Sequence, residues 1–339
     1  MTATNALLLA GQRLAGDRLA ALTPPGIAPQ PLLPLHWIAT EGSGFSCALP
    51  LAPESLDSVC EILPCFSCLT ECGYRFALDY RLQGEKETGS ARLDPIGDFP
   101  AGETSQSDPA VEAAIDLFVV RRPLASATLH LTVHTADPAV LQTVPALLSV
   151  SLRHSTTPSP EGNSSADGVD LSVPPKSQMV LDPSLSGHVC SPTCLSMLLD
   201  FYGHRTDVYD VIAAARHAPR NMYGVWPANV HAAARWNMLG YLLHFPTWDA
   251  ARWLLDRGRP IIASIRFEEG ELTGAPIDRT SGHLVLLRGY AKEMVRVNDP
   301  AAATDEAVVR EYDLEEFLKI WLERSAVGYA IFPASSVRS

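Results

Sequence analysis

The chain has 339 residues, of which 47% are hydrophobic and 19% are charged, and its formal net charge is −12. This composition is typical of globular proteins of about two domains and excludes global disorder. No apolar run approaches the ~18 residues of a membrane helix, so we expect no integral membrane protein. An acidic surface repels phosphate backbones, which argues against a nucleic-acid partner.

Residues 1–30 predict a weakly structured leader rather than a secretory signal. The apolar run Ala6–Ala10 is short, and no Lys or Arg precedes it, whereas a signal has a basic start and an apolar run of ~7–15 residues. We therefore expect a cytoplasmic protein. The odd number of cysteines, 7, argues against a complete disulfide framework, and a reducing compartment keeps them as thiols.

Residues 31–153 predict an all-β, sandwich-like accessory domain. Short runs of alternating or β-branched residues, bounded by turn residues, are typical of antiparallel strands. These runs are Tyr74–Leu82, Leu117–Arg121, Thr128–His134 and Ala146–Leu152.

Three cysteines in this part have the short spacing of zinc ligands. They are Cys65, Cys68 and Cys72, and a fourth ligand would have to come from Cys60, Cys47 or His36. A strand-like run begins almost directly after Cys72. We therefore favour scattered strand and turn thiols and expect no metal, with a zinc-dependent regulator as the weaker alternative.

Residues 154–172 predict a linker, because Ser, Thr, Pro, Gly, Asn and acidic residues dominate there. Residues 173–339 then show helical patterns followed mainly by strand patterns, which favours an α+β fold. The predicted helices are Pro192–Tyr202, Val208–His217, Ala228–Leu239, Trp248–Asp256 and Leu314–Glu323. The predicted strands are Pro260–Phe267, His283–Ala291, Met294–Asn298 and Val327–Phe332.

Cys190 stands at the predicted start of a helix. Ser191-Pro192 follows it, apolar residues then recur at helical spacing, and Gly203 stands where a C-terminal cap is expected. Free backbone N–H groups and the helix dipole stabilise a thiolate at such a position. The thiolate is the attacking form of cysteine, so Cys190 is a candidate nucleophile.

A β-hairpin supplies a candidate base and its orienting partner. Two apolar runs flank a polar turn near residues 291–293, which places His283 opposite Asp299 or one register step away. Asn298 competes with Asp299, because adjacent strand residues point to opposite faces. We favour Asp299 as the residue that orients His283.

Four further positions complete the candidate site. Gln178 can donate its amide N–H to a developing oxyanion together with the backbone N–H of Cys190. Tyr223 and Trp226 lie in a segment that can line the cleft, and Ser281-Gly282 gives close access beside His283.

These segments resemble a known family. VPPKSQ, CSPTCLSMLLDFYG, TSGHLVLLRGY and VNDPAA follow one another between residue 173 and about residue 333. Together they resemble the cysteine peptidase-like family related to bacteriocin-leader processing peptidases, family thirty-nine of the cysteine peptidases in the papain-like superfamily. The resemblance implies a papain-like fold with Cys190 as nucleophile, His283 as general base, Asp299 as orienter and Gln178 in the oxyanion hole.

The expected activity is therefore cysteine-dependent hydrolysis of a peptide or another amide-containing substrate, without a cofactor. Acyl transfer through the same thioester is an alternative. A non-catalytic module that retains the fold and binds a peptide or another partner is a second alternative. The sequence leaves the substrate and the oligomeric state open.

Overall fold

The structure is a computed structural model that describes residues 6–25, 27–29, 31–40, 44–100, 104–155 and 168–339. Residues 156–167 of the predicted linker lie outside the described residues. Up to residue 155 the strands are β1 Ala6–Gln12, β2 Ala28–Pro29, β3 Leu33–Pro34, β4 Ile38–Ala39, β5 Gly44–Leu51, β6 Val59–Cys68, β7 Gly73–Leu82, β8 Thr88–Arg92, β9 Val111–Ala113, β10 Phe118–Val120, β11 Leu124–His134 and β12 Ala146–His154. Two short helices, α1 Gly16–Ala20 and α2 Pro138–Leu141, accompany them.

These strands form two sheets that pack face to face. The first sheet has the order β2-β1-β12-β6-β10-β9, with β3 also paired to β1, and the second has the order β4-β5-β11-β7-β8. Side chains of both sheets share one apolar core, which includes Phe66 of β6 and Leu129 of β11. Residues 31–153 are therefore rich in β-strands, as predicted. That they form a separate domain stays a prediction.

The two sheets differ in how many of their faces are buried. In the second sheet, β7 and β11 alternate between buried and more exposed residues, as strands with one solvated face do. In the first sheet, β1 and β12 are buried almost continuously. The first sheet is thus an inner layer covered on both sides.

The elements after residue 167 build the second half of the chain. The strands are β13 Val169–Asp170, β14 Met238–His244, β15 Ile261–Phe267, β16 Thr280–Ala291, β17 Met294–Asn298, β18 Val309–Asp313 and β19 Val327–Pro333. The helices are α3 Pro183–Ser186, α4 Cys190–Phe201, α5 Val208–Ala215, α6 Trp226–Ala233, α7 Trp248–Leu255, α8 Asp305–Val308 and α9 Leu314–Trp321. The strands pair antiparallel in the order β14-β19-β15-β16-β17-β18, with β13 also paired to β16.

The outer face of the first sheet packs against this second half. Leu7, Leu9 and Leu147 share a core with Leu239 and Tyr241 of β14. Leu8 of β1 instead faces the second sheet. Because side chains alternate along a strand, one strand contributes to two cores. Apolar side chains of both halves therefore hold the halves together.

Two elements differ from the sequence-based expectations. Residues 6–12 form a strand paired to β12 rather than part of a weakly structured leader, because their apolar side chains are buried on both faces. The helix expected over Ala228–Leu239 ends at Ala233, and Leu239 lies in β14. A single 3-10 turn over Ala234–Trp236 follows α6, and Asn237, at a φ of 56°, separates that turn from β14. Among the described residues, no helix is long and apolar enough to cross a membrane.

Candidate active site

Cys190 is the first residue of α4, as the sequence predicts. The helix buries Cys194, Leu195, Leu198 and Leu199 completely. These residues share an apolar core with strand residues of the sheet in the second half of the chain. No side chain caps its N-terminus, so the backbone N–H groups of the first turn are available to a neighbouring anion. The partly exposed Cys190 thiol lies at that end.

The end of α4 also matches the expectation. Gly203 adopts a φ of 93°, a left-handed conformation that side chains disfavour and glycine tolerates. Its N–H donates to the carbonyl oxygen of Asp200, and the N–H of His204 donates to that of Leu199. These bonds end α4.

The predicted hairpin brings His283 to Asp299. β16 and β17 pair with Leu286 opposite Asn298, which puts Val285 in register with Asp299, so His283 lies two residues further along β16. The two side chains nevertheless meet, since Nε2 of His283 lies 2.8 Å from Oδ1 of Asp299. Asn298 points elsewhere, and its amide donates to the carbonyl oxygen of Val173 at 3.2 Å.

Two further groups hold the Asp299 carboxylate. The backbone N–H of Ala301 donates to Oδ1 at 3.0 Å, and the hydroxyl of Tyr312 donates to Oδ2 at 2.7 Å. Asp299 is 1% exposed, so these donors take the place of water. The sequence patterns do not indicate Tyr312. Its one signal is an aromatic residue among the charged residues of β18.

His283 and the Cys190 thiol also interact, and each shifts the pKa of the other. Burial favours the neutral thiol, but the hydrogen bond and charge of His283, with backbone hydrogen bonds of Leu284 and Ser191, lower the pKa of Cys190. Burial disfavours the imidazolium, but Asp299 and then Cys190 outweigh it and raise the pKa of His283 to about 10. Both shifts favour a thiolate–imidazolium pair over a neutral thiol and imidazole.

The Asp299 carboxylate stays ionised for the same reason. Burial raises its pKa, but the charge and hydrogen bond of His283, together with the Tyr312 hydroxyl, outweigh burial and lower the pKa below its ordinary value. Burial and Asp299 conversely raise the pKa of Tyr312. The phenol therefore stays protonated and acts as a donor.

Gln178 lies in a one-turn helix before α3 and is 5% exposed. Its Nε2 donates to the carbonyl oxygen of Ser186 at 2.6 Å, and its backbone N–H donates to that of Pro300 at 2.8 Å. One of the two side-chain amide hydrogens of Gln178 is thus used by the bond to Ser186, and the second is not used by it. The oxyanion role of Gln178 stays a prediction.

A cleft of about 1260 Å³ opens beside Cys190. The four predicted substrate-binding residues, Tyr223, Trp226, Ser281 and Gly282, all line it. One wall was not foreseen, because residues 112–117, from the hairpin between β9 and β10, also line the cleft. Both halves of the chain therefore build it.

The structure separates the three cysteines of the zinc alternative. Cys68 and Cys72 face the core between the first two sheets, whereas Cys65 points from the opposite face of β6 into the core around α4. No group of three or more His, Cys, Asp or Glu side chains in the described part of the chain could hold a metal ion.

Comparison with known proteins connects the second half to a family. Residues 170–329, just under half of the chain, match the Peptidase_C39 like family, which confirms the resemblance seen in the sequence. No curated protein matches the chain. The match covers Cys190, His283 and Asp299.

Two solved structures are similar to the chain at low identity. A candidate C39-like peptidase from Bacillus anthracis is 17% identical with a TM-score of 0.39, over 49% of this chain and 98% of that chain. A double glycine motif protease from an AMS/PCAT transporter, in complex with the leader peptide, is 15% identical with a TM-score of 0.32, over 49% of this chain and 94% of that chain.

Proposed function

Because residues 170–329 match the Peptidase_C39 like family, we propose that this protein is a cysteine peptidase that cleaves an amide bond of a peptide through a Cys190 acyl-enzyme. One observation carries the proposal. The hydrogen bond and charge of His283 lower the pKa of the thiol at the start of α4, and Nε2 of His283 lies 2.8 Å from the buried carboxylate of Asp299. This is the nucleophile–base–orienter arrangement of covalent hydrolases.

Acylation follows from this arrangement. The Cys190 thiolate attacks the carbonyl carbon and forms a C–S bond. The backbone N–H of Cys190 and the second amide hydrogen of Gln178 stabilise the oxyanion. The His283 imidazolium then gives its proton to the leaving amine as the C–N bond breaks.

Deacylation reverses the role of His283. The neutral imidazole takes a proton from water as the oxygen attacks the thioester carbonyl. The C–S bond breaks, the acid is released, and the thiolate–imidazolium pair returns. Asp299 stays ionised throughout, so it holds the ring and stabilises its charged form.

The first half of the chain would act as a β-rich accessory unit of this peptidase. Its two packed sheets and its contribution to one wall of the cleft support that role. A cytoplasmic location is also part of the proposal and rests on the sequence alone.

Limited alkylation tests the nucleophile. We expect iodoacetamide to label Cys190 at a pH well below that needed for ordinary thiols, because the His283 imidazolium stabilises the thiolate. Cys60 is the matched control, since it is also partly exposed but burial and Glu61 raise its pKa. Replacing His283→Ala or Asp299→Asn should remove the advantage of Cys190.

Turnover tests the reaction. Wild-type protein should cleave members of a mixed peptide pool, and Cys190→Ala should cleave none while still unfolding in one cooperative transition. Added amine that appears in the product would identify acyl transfer instead of hydrolysis. A Cys190 no more reactive than Cys60, with no cleavage, would overturn the proposal and leave a binding module.

A further inference from the structure

The wall that the first half contributes to the cleft is a tight hairpin. The N–H of Ala114 donates to the carbonyl oxygen of Leu117 at 2.9 Å and closes the turn between β9 and β10. Ile115 and Asp116 occupy its tip. Asp116 is only partly exposed, and it lines the same cleft as Cys190.

Contacts with the second half fix the position of Asp116. Its Oδ1 accepts the backbone N–H of Trp226, the first residue of α6, at 2.7 Å. That N–H has no side-chain cap from its own segment, so the carboxylate caps the helix from the other half of the chain. This hydrogen bond uses Oδ1 of Asp116 and does not involve Oδ2.

Asp116 and Cys190 both interact with one buried phenol. The hydroxyl of Tyr329 bonds Oγ of Ser191, the neighbour of Cys190, at 2.9 Å. Burial raises the pKa of Tyr329, and Asp116 and Cys190 both raise it further. The carboxylate and the thiol thus act on the same buried phenol from within the same cleft.

The three carboxylates that line the cleft all come from the first half, and two of them already have cationic partners. Glu61 contacts Arg153 at 3.3 Å and His244 at 3.2 Å, and Glu112 contacts Arg121 at 2.6 Å. Asp116 has no ion pair among the described residues.

Arg220 does not neutralise Asp116. Arg220 exerts a favourable charge interaction on it, but its guanidinium is bound to Asp94 at 2.6 Å and to Ser105 at 3.0 Å. Burial therefore dominates and raises the pKa of Asp116 to about 7. A carboxylate in this position is stabilised by a cation that enters the cleft.

We propose that Asp116 is a specificity-determining residue that binds the ammonium or guanidinium group of a Lys or Arg side chain in the substrate peptide. This inference rests on the proposed peptidase function and names the substrate class of the same cleft. The first half of the chain would then select the substrate, while the second half cleaves it.

Matched peptides test the inference. Short peptides of Ala, Gly and Leu would carry one Lys, or one acetyl-lysine, at each position in turn; the two residues differ mainly in charge. At one position we expect wild-type protein to cleave the Lys peptide with a kcat/KM about tenfold higher, the size expected of a charge-assisted contact. Asp116→Asn keeps an oxygen for the Trp226 N–H but removes the charge, and it should reduce this ratio to about one.

Glu112→Gln is the matched control, because Glu112 lines the cleft but is already paired with Arg121. This variant should keep the wild-type ratio. An equal kcat/KM for Lys and acetyl-lysine peptides at every position, or an unchanged ratio in Asp116→Asn, would overturn the inference while cleavage itself still supports the peptidase.

Binding separates the two proposals. In a Cys190→Ala background, calorimetry should show tighter binding of the Lys peptide, and adding Asp116→Asn should abolish the difference. If wild-type protein cleaves no peptide but this charge-dependent binding is present, the peptidase proposal fails and the assignment of Asp116 stands. If neither cleavage nor charge-dependent binding is seen, both proposals fail.

Discussion

The Tyr312 hydroxyl and the His283 ring bind opposite oxygens of one carboxylate. Tyr312 donates to Oδ2 of Asp299 at 2.7 Å, and His283 faces Oδ1 at 2.8 Å. β18 places Tyr312 there, because it pairs with β17, the strand directly before Asp299. We therefore expect Tyr312 to act on the imidazole through Asp299, as a positioning residue.

We expect Tyr312→Phe to weaken the hold on His283. The variant leaves a buried carboxylate oxygen without its donor, which costs about 1–3 kcal/mol of unfolding free energy. The pKa of Asp299 should rise, so the acid limb of the pH profile for Cys190 alkylation should move to higher pH. Tyr241→Phe is the control, since Tyr241 is also buried and bonds the carbonyl oxygen of Leu22 at 2.6 Å. A profile that moves equally in both variants would assign Tyr312 a purely structural role.

Gln178→Ala should separate alkylation from catalysis. If its amide stabilises the oxyanion, kcat should fall by about 100-fold or more. Alkylation of Cys190 by iodoacetamide forms no oxyanion, so its rate should change little. Met179→Ala, next to it and 46% exposed, should retain kcat. Equal losses of alkylation and turnover in Gln178→Ala would point to a displaced Cys190 instead.

The thiolate–imidazolium pair predicts an unusual dependence of stability on pH. Unfolded His and Cys titrate near 6.5 and 9.0, whereas the pKa of folded His283 is about 10 and that of Cys190 is lowered. The stabilisation from His283 is fully present below pH 6.5 and is lost as the pH rises through about 10. The stabilisation from Cys190 is fully present above pH 9.0 and is lost as the pH falls through its lowered pKa. The two slopes have opposite signs and offset each other where both groups titrate.

Cys190→Ala exposes the contribution of His283 alone. The folded variant retains the imidazolium beside Asp299 above pH 6.5, whereas the unfolded chain releases that proton. Its unfolding free energy should therefore fall relative to wild type as pH rises, by up to about 1.4 kcal/mol per pH unit. Urea unfolding of both proteins from pH 6 to pH 10 measures the difference. Parallel curves would show that Asp299 alone does not keep His283 protonated in the variant.

The contact between the two halves can be tested at β1. Leu9→Ala should cost about 2–5 kcal/mol of unfolding free energy, because it empties part of the shared core. Leu33→Ala, at a site that is 36% exposed, should cost about 0.5 kcal/mol or less. Chemical unfolding measures both, and similar values for the two variants would refute the buried role of β1.

The sequence predicted local structure better than it predicted how the sheets stack on one another. The start and end of α4 and the hairpin around residue 292 were found because Pro, Gly and alternating apolar residues act locally. Strand β1 was missed, since its apolar run is short and only burial on both faces explains it. Strand β14 was partly assigned to a helix for the same reason: strands buried on both faces lack the alternation that identifies them.

The candidate site also contains residues that local sequence patterns predict and residues that they do not. Cys190, His283 and Asp299 follow from a helix start and a hairpin register, which are short-range patterns. Tyr312 reaches Asp299 from the neighbouring strand, and Asp116 reaches the cleft from the other half of the chain. No spacing in the sequence encodes either contact. A tight turn between two short strands gives no indication that Asp116 contacts a helix 110 residues later.

Burial of the first sheet on both faces has a consequence for how the polypeptide could be divided. Apolar contacts between β1, β12 and β14 join the halves independently of the segment between Ser155 and Gly168. We expect two separately expressed fragments, one ending at Ser155 and one beginning at Gly168, to associate and restore the cleft. Each fragment alone would leave a large apolar surface in water and would be prone to aggregate. Activity would then depend on fragment concentration, as in a split reporter enzyme.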